Sequence, residues 1–380
     1  MTDRINKIDL GILLPVLVLI AFSLGVVYSA SSSWSVKMSG DSSYLFKNHL
    51  LRAGFGVFLI FLFSRIDYRH LINIRKYLMI IALAMLIYLL FSKIIIKGAS
   101  RWIIIGGLSF QPADFVKYAL IVNLSYLLMK KKDYLKSLYY AYIPLVTYVI
   151  LITTLIALQP NFSTAVIILI SSMMLFFIAK VQFKHLLFTF ISIVPVAFLY
   201  VVSKPYILNR LFSFSEHTSG GDANYQLSQA IIGFGNGSLF GVGPGNSNQR
   251  EFFLPQSYDD FIFSIVGEEY GFIGVTLVLL MFSIFVYRGL KLSKTIDDDF
   301  GKYLSFGFTS IIGLHAVVNM MVSTGIVPTT GITLPFMSYG GTSIVFNSIA
   351  VGFLLNISTF RLKPVGIFWR EQSEQSSAEL

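Results

Sequence analysis

Four carboxylates lie close together in the C-terminal half of the chain: Asp259, Asp260, Glu268 and Glu269. They come where a long apolar segment begins. Asp260 and Glu268 are eight residues apart, which places them within about a quarter turn of one helical face. A carboxylate within hydrogen-bond reach of a hydroxyl can take its proton as a general base. An acid in the first turn also stabilises a helix N-terminus. That explains Asp259 or Asp260, but it leaves Glu268 and Glu269 to face a cavity or a partner.

A second polar cluster interrupts an apolar run at Asp114 and Lys117. Their i,i+3 spacing puts both side chains on one face of a helix, where they can pair. The pair could belong to a functional site, and a purely structural ion pair explains the spacing equally well. Just upstream, Arg101-Trp102 could bind an anionic headgroup or simply anchor the chain at a membrane interface.

Two further segments differ from the apolar background. Residues 327–343 carry no charge, two Pro and several Gly, which predicts a loop that re-enters or packs over a cavity. Upstream of it, His315 and Asn319 are i,i+4, and a lone His in such a helix is more often a packing residue than a catalyst. The glycine-rich run 233–245 could cradle phosphates through backbone N–H groups. It matches no nucleotide-binding motif, so we expect tight turns packed on the rest of the protein.

The elements that position these residues are membrane helices. Hydrophobic residues make up 55% of the chain and charged residues only 13%, against about 25% charged in soluble proteins. Runs of about 20 apolar residues can cross a bilayer as helices. We predict an all-α bundle of ten spans: 10–29, 50–66, 76–92, 113–129, 138–158, 162–179, 183–203, 260–287, 303–325 and 340–360. Only Gln159-Pro160-Asn161 separates the fifth and sixth, which could therefore be one broken element.

The basic residues predict the orientation, because Lys and Arg concentrate in short cytoplasmic loops. With both termini cytoplasmic, the inside segments hold 19 of the 29 basic residues. These are Arg4, Lys7, Arg65, Arg69, Arg75, Lys76, Lys130, Lys131, Lys132, Lys136, Lys180, Lys184, Arg288, Lys291, Lys294, Lys302, Arg361, Lys363 and Arg370. The net charge of +10 is therefore a topology signal and does not indicate a nucleic-acid partner. The first span is too long for a signal peptide and is expected to be retained.

This arrangement predicts one membrane domain over residues 1–360, with a large extracytoplasmic loop at about 204–260 and a disordered cytoplasmic tail at 361–380. The chain has no Cys, which excludes disulfides, thiol nucleophiles and thiolate metal sites. No metal-ligand spacing is evident in the sequence.

The polar segments together resemble the SEDS family (shape, elongation, division and sporulation). The family motifs are present in order as Gly98-Ala99-Ser100-Arg101-Trp102, Gln111-Pro112-Ala113-Asp114-Phe115-Val116-Lys117, Tyr225-Gln226, Leu254-Pro255, Asp260-Phe261-Ile262-Phe263, Gly267-Glu268-Glu269-Tyr270-Gly271, Pro328 to Gly331 and Pro335 to Gly341. The likeness covers nearly the whole chain and includes the ten-span layout. Residues 243–249 are closer to the division-type (FtsW-like) than to the rod-type (RodA-like) form of the loop.

The chain departs from the family pattern at several positions. Residues Gln256-Ser257-Tyr258-Asp259 stand where the family commonly has Glu-x-His-Thr before its essential aspartate, which aligns with Asp260. Asn161 replaces a usual Asp and His315 a usual Gln. Asp259 is thus a second carboxylate beside the aligned one.

The resemblance implies a bacterial cytoplasmic-membrane enzyme, a peptidoglycan glycosyltransferase that polymerises lipid II and releases undecaprenyl pyrophosphate. On this hypothesis Asp260 is the base, Lys117 and Arg101 hold the pyrophosphate, and Arg210 and Arg52 are second-rank cations. Asp114 would orient Lys117, and Glu268 would shape the field of the cavity. A divalent cation is conceivable as a cofactor. The resemblance also implies a class B penicillin-binding protein transpeptidase as partner, together with other proteins of the division or elongation complex.

Two other functions share some of these features. A lipid II flippase or transporter would also carry polar residues inside spans and broken helices, but its charged path would extend through the cytoplasmic half. A structural scaffold for cell-wall enzymes would leave Asp114, Lys117, Glu268 and Glu269 without a purpose.

Overall fold

The computed structural model describes residues 7–92, 101–105, 108–205, 207–210, 222–250, 254 and 257–360. Eleven helices lie within these ranges: α1 Leu10–Ser39, α2 Tyr44–Ser64, α3 His70–Phe91, α4 Pro112–Lys130, α5 Ile143–Ala157, α6 Phe162–Ile178, α7 Phe183–Val202, α8 Asp222–Gly237, α9 Ile262–Thr295, α10 Asp299–Ser323 and α11 Gly341–Thr359. A hairpin of two short antiparallel strands, β1 Ile103–Ile105 and β2 Leu108–Phe110, precedes α4. The predicted tail 361–380 and the motif residues 98–100 lie outside the described residues.

The multi-pass helical membrane fold predicted from composition is confirmed. In the described part of the chain, eight helical segments are long and apolar enough to cross a bilayer. They are α1, α2, α3, α5 together with the π-helical turn Leu138–Tyr142 that precedes it, α7, α9, α10 and α11. The shorter α6 is also apolar, and α4 carries the Asp114–Lys117 pair. Each of the ten predicted spans therefore corresponds to one helix. The fifth and sixth are separate helices, because α5 ends at Ala157 and α6 begins at Phe162.

Helix α1 continues ten residues beyond its predicted end at residue 29. The extension is rich in Ser, which reads as polar, yet Ser29, Ser31 and Ser35 are buried. Two of these hydroxyls make tertiary contacts: Ser29 donates to Glu269, and Ser35 Oγ accepts from Leu45 N at 3.3 Å. The helix stops at Gly40, whose φ of 75° forms a left-handed cap.

The glycine-rich run is only partly the set of turns that we expected. Gly233, Gly235 and Gly237 belong to α8, whereas Gly241, Gly243 and Gly245 adopt positive φ in turns. The described segment of the 204–260 loop thus contains a helix of 16 residues.

This glycine-rich segment packs into a break in α9. Gly271 has φ 60° and ψ −157°, which interrupts the helix in the middle of a predicted span. The backbone groups released by the break are hydrogen-bonded by the segment 238–243: Val242 N donates to Glu268 O at 2.9 Å, and Phe272 N donates to Ser238 O at 2.9 Å. A Cβ on Gly241 would lie 2.1 Å from Glu269 O, so only glycine permits this approach.

Helix α7 lies apart from the rest of the bundle. Only His185 and Thr189 are buried among its residues. Between α7 and the pair α5–α6 lies a cavity of about 860 Å³. Its walls are almost entirely apolar, with Ile150, Leu169, Met173, Phe190 and Tyr200 among the lining residues.

Polar contacts also join the helices at the end of the bundle where α1 begins and α2, α9 and α11 end. Asp9, the N-cap of α1, accepts from Arg288 Nη2 near the end of α9 at 2.7 Å. Asn356 in the last turn of α11 donates to Ser64 O and accepts from Tyr68 N, both at 3.0 Å. These contacts bring the ends of α1, α2, α9 and α11 together at this end.

Candidate active site

The predicted pair of Asp114 and Lys117 is formed and buried. Lys117 Nζ lies 2.8 Å from Asp114 Oδ1, and the two residues are 1% and 6% exposed. The other carboxylate oxygen, Asp114 Oδ2, accepts from the Thr342 hydroxyl at 2.8 Å. Thr342 belongs to the first turn of α11. Both oxygens of Asp114 are therefore occupied, which fixes its orientation and with it the position of the ammonium group.

A second row of hydrogen bonds joins α4 to α11 and to the loop before it. Tyr118 OH donates to Asn347 Oδ1. Asn347 Nδ2 donates to Ser343 Oγ at 3.1 Å, and Thr333 Oγ1 donates to Ser343 Oγ at 3.4 Å. This row extends from the span that carries Lys117 to residues 327–340, the part of the uncharged segment that precedes α11 and is called the uncharged loop below. His315, in α10, is also buried.

Asp260 stands two residues before α9, at the same end of the bundle as Lys117. It is partly exposed. Its backbone carbonyl accepts from Asn319 Nδ2 at 2.8 Å. A Cβ built on Gly331 would lie 3.5 Å from Asp260 Oδ2, so the carboxylate borders the uncharged loop.

The uncharged loop connects the two halves of this site. It begins after α10, passes Gly331 beside Asp260, and ends at α11, where Thr342 contacts Asp114. The sequence predicts that this loop re-enters or packs over a cavity, and these contacts place it against Asp260 at one point and beside Asp114 at its end.

Arg52 approaches the same loop from α2. Its guanidinium carbon lies 4.5 Å from the ring centroid of Tyr339, and a Cβ on Gly341 would lie 3.5 Å from it. Tyr339 N donates to Tyr258 O at 2.9 Å, and the two rings meet edge to face. Burial, with a smaller contribution from the neighbouring Asp259, raises the pKa of Tyr258. Arg52 is therefore close to the segment that carries Asp260.

Glu268 and Glu269 are buried, and each accepts hydrogen bonds from residues 245–249 at the end of the glycine-rich run. Glu268 accepts from the Ser247 hydroxyl and from Gln249 N at 3.3 Å. Glu269 accepts from the Ser29 hydroxyl and from Gly245 N at 3.1 Å. Both carboxylates thus hold the segment 245–249 against the first half of α9. A role for Glu268 in the field of the cavity stays a prediction.

The remaining predicted cations lie at the edges of the described structure. Arg101 is partly exposed two residues before β1, and Arg210 is partly exposed immediately before the undescribed residues 211–221. Their proximity to Lys117 stays a prediction. Among the described residues, no group of three or more His, Asp or Glu side chains is placed to hold a metal ion.

Sequence reasoning missed Thr342 and Asn347, and it noted Asn319 only as the neighbour of a histidine. Their position in the sequence beside the uncharged loop could have indicated them, because a polar side chain in an apolar helix needs a hydrogen-bond partner.

A comparison with family models matches residues 10–363 to a family described as cell cycle protein, the FtsW, RodA and SpoVE family. A probable peptidoglycan glycosyltransferase FtsW from Geobacter sulfurreducens is 36% identical over 369 residues, covering 95% of this chain and 97% of that protein. Stage V sporulation protein E from Bacillus subtilis is 35% identical over 367 residues, covering 95% and 99%.

Solved structures show the same fold. A chain from a peptidoglycan synthase complex, studied for the coordination of polymerization and crosslinking, aligns with a TM-score of 0.74 at 24% identity, covering 92% of this chain and 97% of that one. The rod shape determining protein RodA from Thermus thermophilus aligns with a TM-score of 0.67 at 24% identity, covering 94% and 98%. Because the family model matches residues 10–363 and relatives of 35–36% identity align over 95% of its length, this chain belongs to the SEDS family of FtsW, RodA and SpoVE.

Proposed function

We propose that this protein is a peptidoglycan glycosyltransferase that joins lipid II disaccharides into glycan strands at the outer face of the bacterial cytoplasmic membrane. The observation that carries the proposal is a partly exposed carboxylate, Asp260, at the same end of the bundle as the buried Lys117–Asp114 pair, with one uncharged loop connecting them. The names of the full-length relatives support the same activity.

The reaction requires a base and a means of stabilising a departing anion. Asp260 takes the proton of the 4-hydroxyl of GlcNAc on the acceptor, and the resulting oxygen attacks the anomeric carbon of MurNAc on the donor. A new C–O bond forms as the anomeric bond to the pyrophosphate breaks. Undecaprenyl pyrophosphate leaves with the electron pair.

Lys117 supplies positive charge for the pyrophosphate. Because the ammonium group is buried, its attraction for an anion is less weakened by water than at the surface. Asp114 holds it in place, and Thr342 holds Asp114. Arg52 adds a guanidinium suited to bidentate phosphate contacts, and we assign Arg101 and Arg210 the same function.

The apolar cavity among α5, α6 and α7 suits the hydrocarbon part of a lipid-linked substrate. Its volume of about 860 Å³ and its nearly polar-free walls fit an isoprenoid chain better than a sugar.

The distribution of the basic residues supports the orientation that we propose. The polar site lies where α4, α9 and α11 begin, and the end of the bundle opposite to it carries Arg65, Arg69, Arg288 and Lys294. With that end cytoplasmic, both termini are cytoplasmic and the site faces outward, where lipid II is presented.

We also propose a partner, a class B penicillin-binding protein transpeptidase that crosslinks the new strand. A peptidoglycan synthase complex among the structural matches supports this. The form of residues 243–249 favours a division complex over an elongation complex.

The test is reconstitution of the purified protein with its cognate transpeptidase in vesicles that contain fluorescent lipid II. We expect glycan polymer only when this chain is present. Vesicles with the transpeptidase alone provide the control. Transfer of lipid II between leaflets without polymer would refute the proposal and favour the flippase.

A further inference from the structure

We propose that Asn319 is a positioning residue for the base. Its side-chain amide ties the backbone at Asp260 to the backbone at Ile332, and so fixes where the Asp260 carboxylate stands. This inference rests on the proposed function, because it assigns Asn319 a task in the same reaction.

The contact geometry is two-sided. Asn319 Nδ2 donates to Asp260 O at 2.8 Å and to Ile332 O at 2.6 Å. Asn319 is 1% exposed and lies one turn before the end of α10 at Ser323. One buried group therefore spans from the start of α9 to the uncharged loop.

The amide can do this in only one orientation. Both acceptors are carbonyl oxygens, so the NH2 group must face them, and its two hydrogens supply one bond to each. A carboxylate of the same shape would place an oxygen against two carbonyl oxygens. An apolar side chain would leave the buried Ile332 carbonyl and the partly buried Asp260 carbonyl without this donor, at a cost in stability.

The two tied backbones flank the reactive group. Ile332 follows Gly331, which borders Asp260 Oδ2. The same amide therefore fixes the position of the backbone that carries the Asp260 carboxylate and of the loop backbone at Gly331 and Ile332 beside it. A displacement of about 1 Å in a reacting group can cost about 100-fold in rate.

Neighbouring residues are anchored by other means. Phe261 is 3% exposed and packs with Ala230, Leu254 and Val322, and Tyr258 O accepts from Tyr339 N. Asp260 lies between these anchors, and Asn319 contacts Asp260 itself. Loss of Asn319 should therefore shift the base without unfolding its surroundings.

The alternative is that Asn319 only packs a helix against a loop. Asn356 offers a matched control, since it is also a buried amide on a helix, bridging Ser64 O and Tyr68 N at the opposite end of the bundle. Its loss should weaken the fold in a comparable way without reaching Asp260.

The experiment compares Asn319→Ala with Asn356→Ala in the complex with the transpeptidase, measuring thermal unfolding together with kcat and KM for fluorescent lipid II. We expect similar losses of Tm, a kcat at least tenfold lower for Asn319→Ala with KM within threefold, and both constants within twofold for Asn356→Ala. A kcat of Asn319→Ala within twofold of wild type, or an equal loss in both variants, would overturn the proposal.

Asn319→Asp provides a second variant of nearly equal volume, for use if the Ala variant does not fold. It should lose as much kcat, because it cannot donate to both carbonyls at neutral pH, and full activity would overturn the proposal. Hydrogen exchange separates this test from the proposed function. The backbone amides of residues 257–261 and 327–334 should exchange faster in the Asn319 variants than in Asn356→Ala. Unchanged exchange would refute the inference that Asn319 holds these two segments together. If the wild type forms no polymer, the proposed function fails, and the exchange result alone decides whether Asn319 joins the two segments.

Discussion

Replacing Thr342 by Val tests whether α11 positions the buried cation. The two side chains have nearly the same shape, so the substitution removes the hydroxyl that donates to Asp114 Oδ2 without opening a cavity. Thr342 is 8% exposed and Asp114 6%, so water cannot readily replace the lost donor.

The size of the effect follows from the type of bond. A hydrogen bond to a charged group contributes about 1.5–3 kcal/mol, so we expect the free energy of unfolding to fall by about that amount. If the bond is used fully in the transition state, polymerisation falls by about 10- to 150-fold, since about 1.4 kcal/mol corresponds to a factor of ten. The fall in rate arises because Asp114 can rotate and no longer fixes Lys117.

The assay measures unfolding in mixed micelles and polymerisation of fluorescent lipid II on the same preparations. Thr342→Ser is the matched control, because it keeps the hydroxyl and loses only a methyl group, at a cost of about 1 kcal/mol. We expect Ser to retain most activity and Val to lose it. Equal activity in the Val and Ser variants would refute the role of the hydroxyl.

Three other substitutions, one of them a control, probe the elements around the site. Gly241→Ala should destabilise the protein by about 1–3 kcal/mol, because its Cβ would lie 2.1 Å from Glu269 O. Gly235→Ala should be neutral or stabilising, because no other side chain or neighbouring segment among the described residues lies within 4 Å of the new Cβ. Equal melting temperatures for the two variants would contradict the packing of α9 described above. Arg52→Gln should weaken inhibition by inorganic pyrophosphate about 10- to 150-fold if Arg52 hydrogen-bonds the leaving group, because a hydrogen bond to a charged group contributes about 1.5–3 kcal/mol. Inhibition unchanged from wild type would remove Arg52 from the site.

The helices were predictable from the sequence because a bilayer imposes a simple requirement, a run of about 20 apolar residues. The exceptions have particular causes. The serines after residue 29 of α1 read as a loop, but Ser31 and Ser35 are buried in the helix, and Ser35 accepts a tertiary hydrogen bond from Leu45 N. Gly271 gave no sign of breaking α9, because a glycine is common in membrane helices and the segment that fills the break lies about 30 residues away in sequence.

The site likewise contains some contacts that the sequence could predict and others that it could not. Asp114 and Lys117 were predictable as a pair because i,i+3 contacts are local. The partners that orient them are distant, since Thr342 is 228 residues from Asp114 and Asn319 is 59 residues from Asp260. Spacing within one helix carries no information about such contacts. The buried partners of Glu268 and Glu269 were likewise out of reach, because they come from the glycine-rich segment and from α1.

The most direct test of the account replaces each of two adjacent carboxylates, Asp260→Asn and Asp259→Asn, and measures polymerisation of fluorescent lipid II by each purified complex. Proton transfer by a positioned base contributes about 100- to 10,000-fold. We therefore predict a loss of that size for Asp260→Asn, and activity within threefold of wild type for Asp259→Asn at equal membrane abundance. Substantial polymerisation by Asp260→Asn would contradict the assignment of Asp260 as the base.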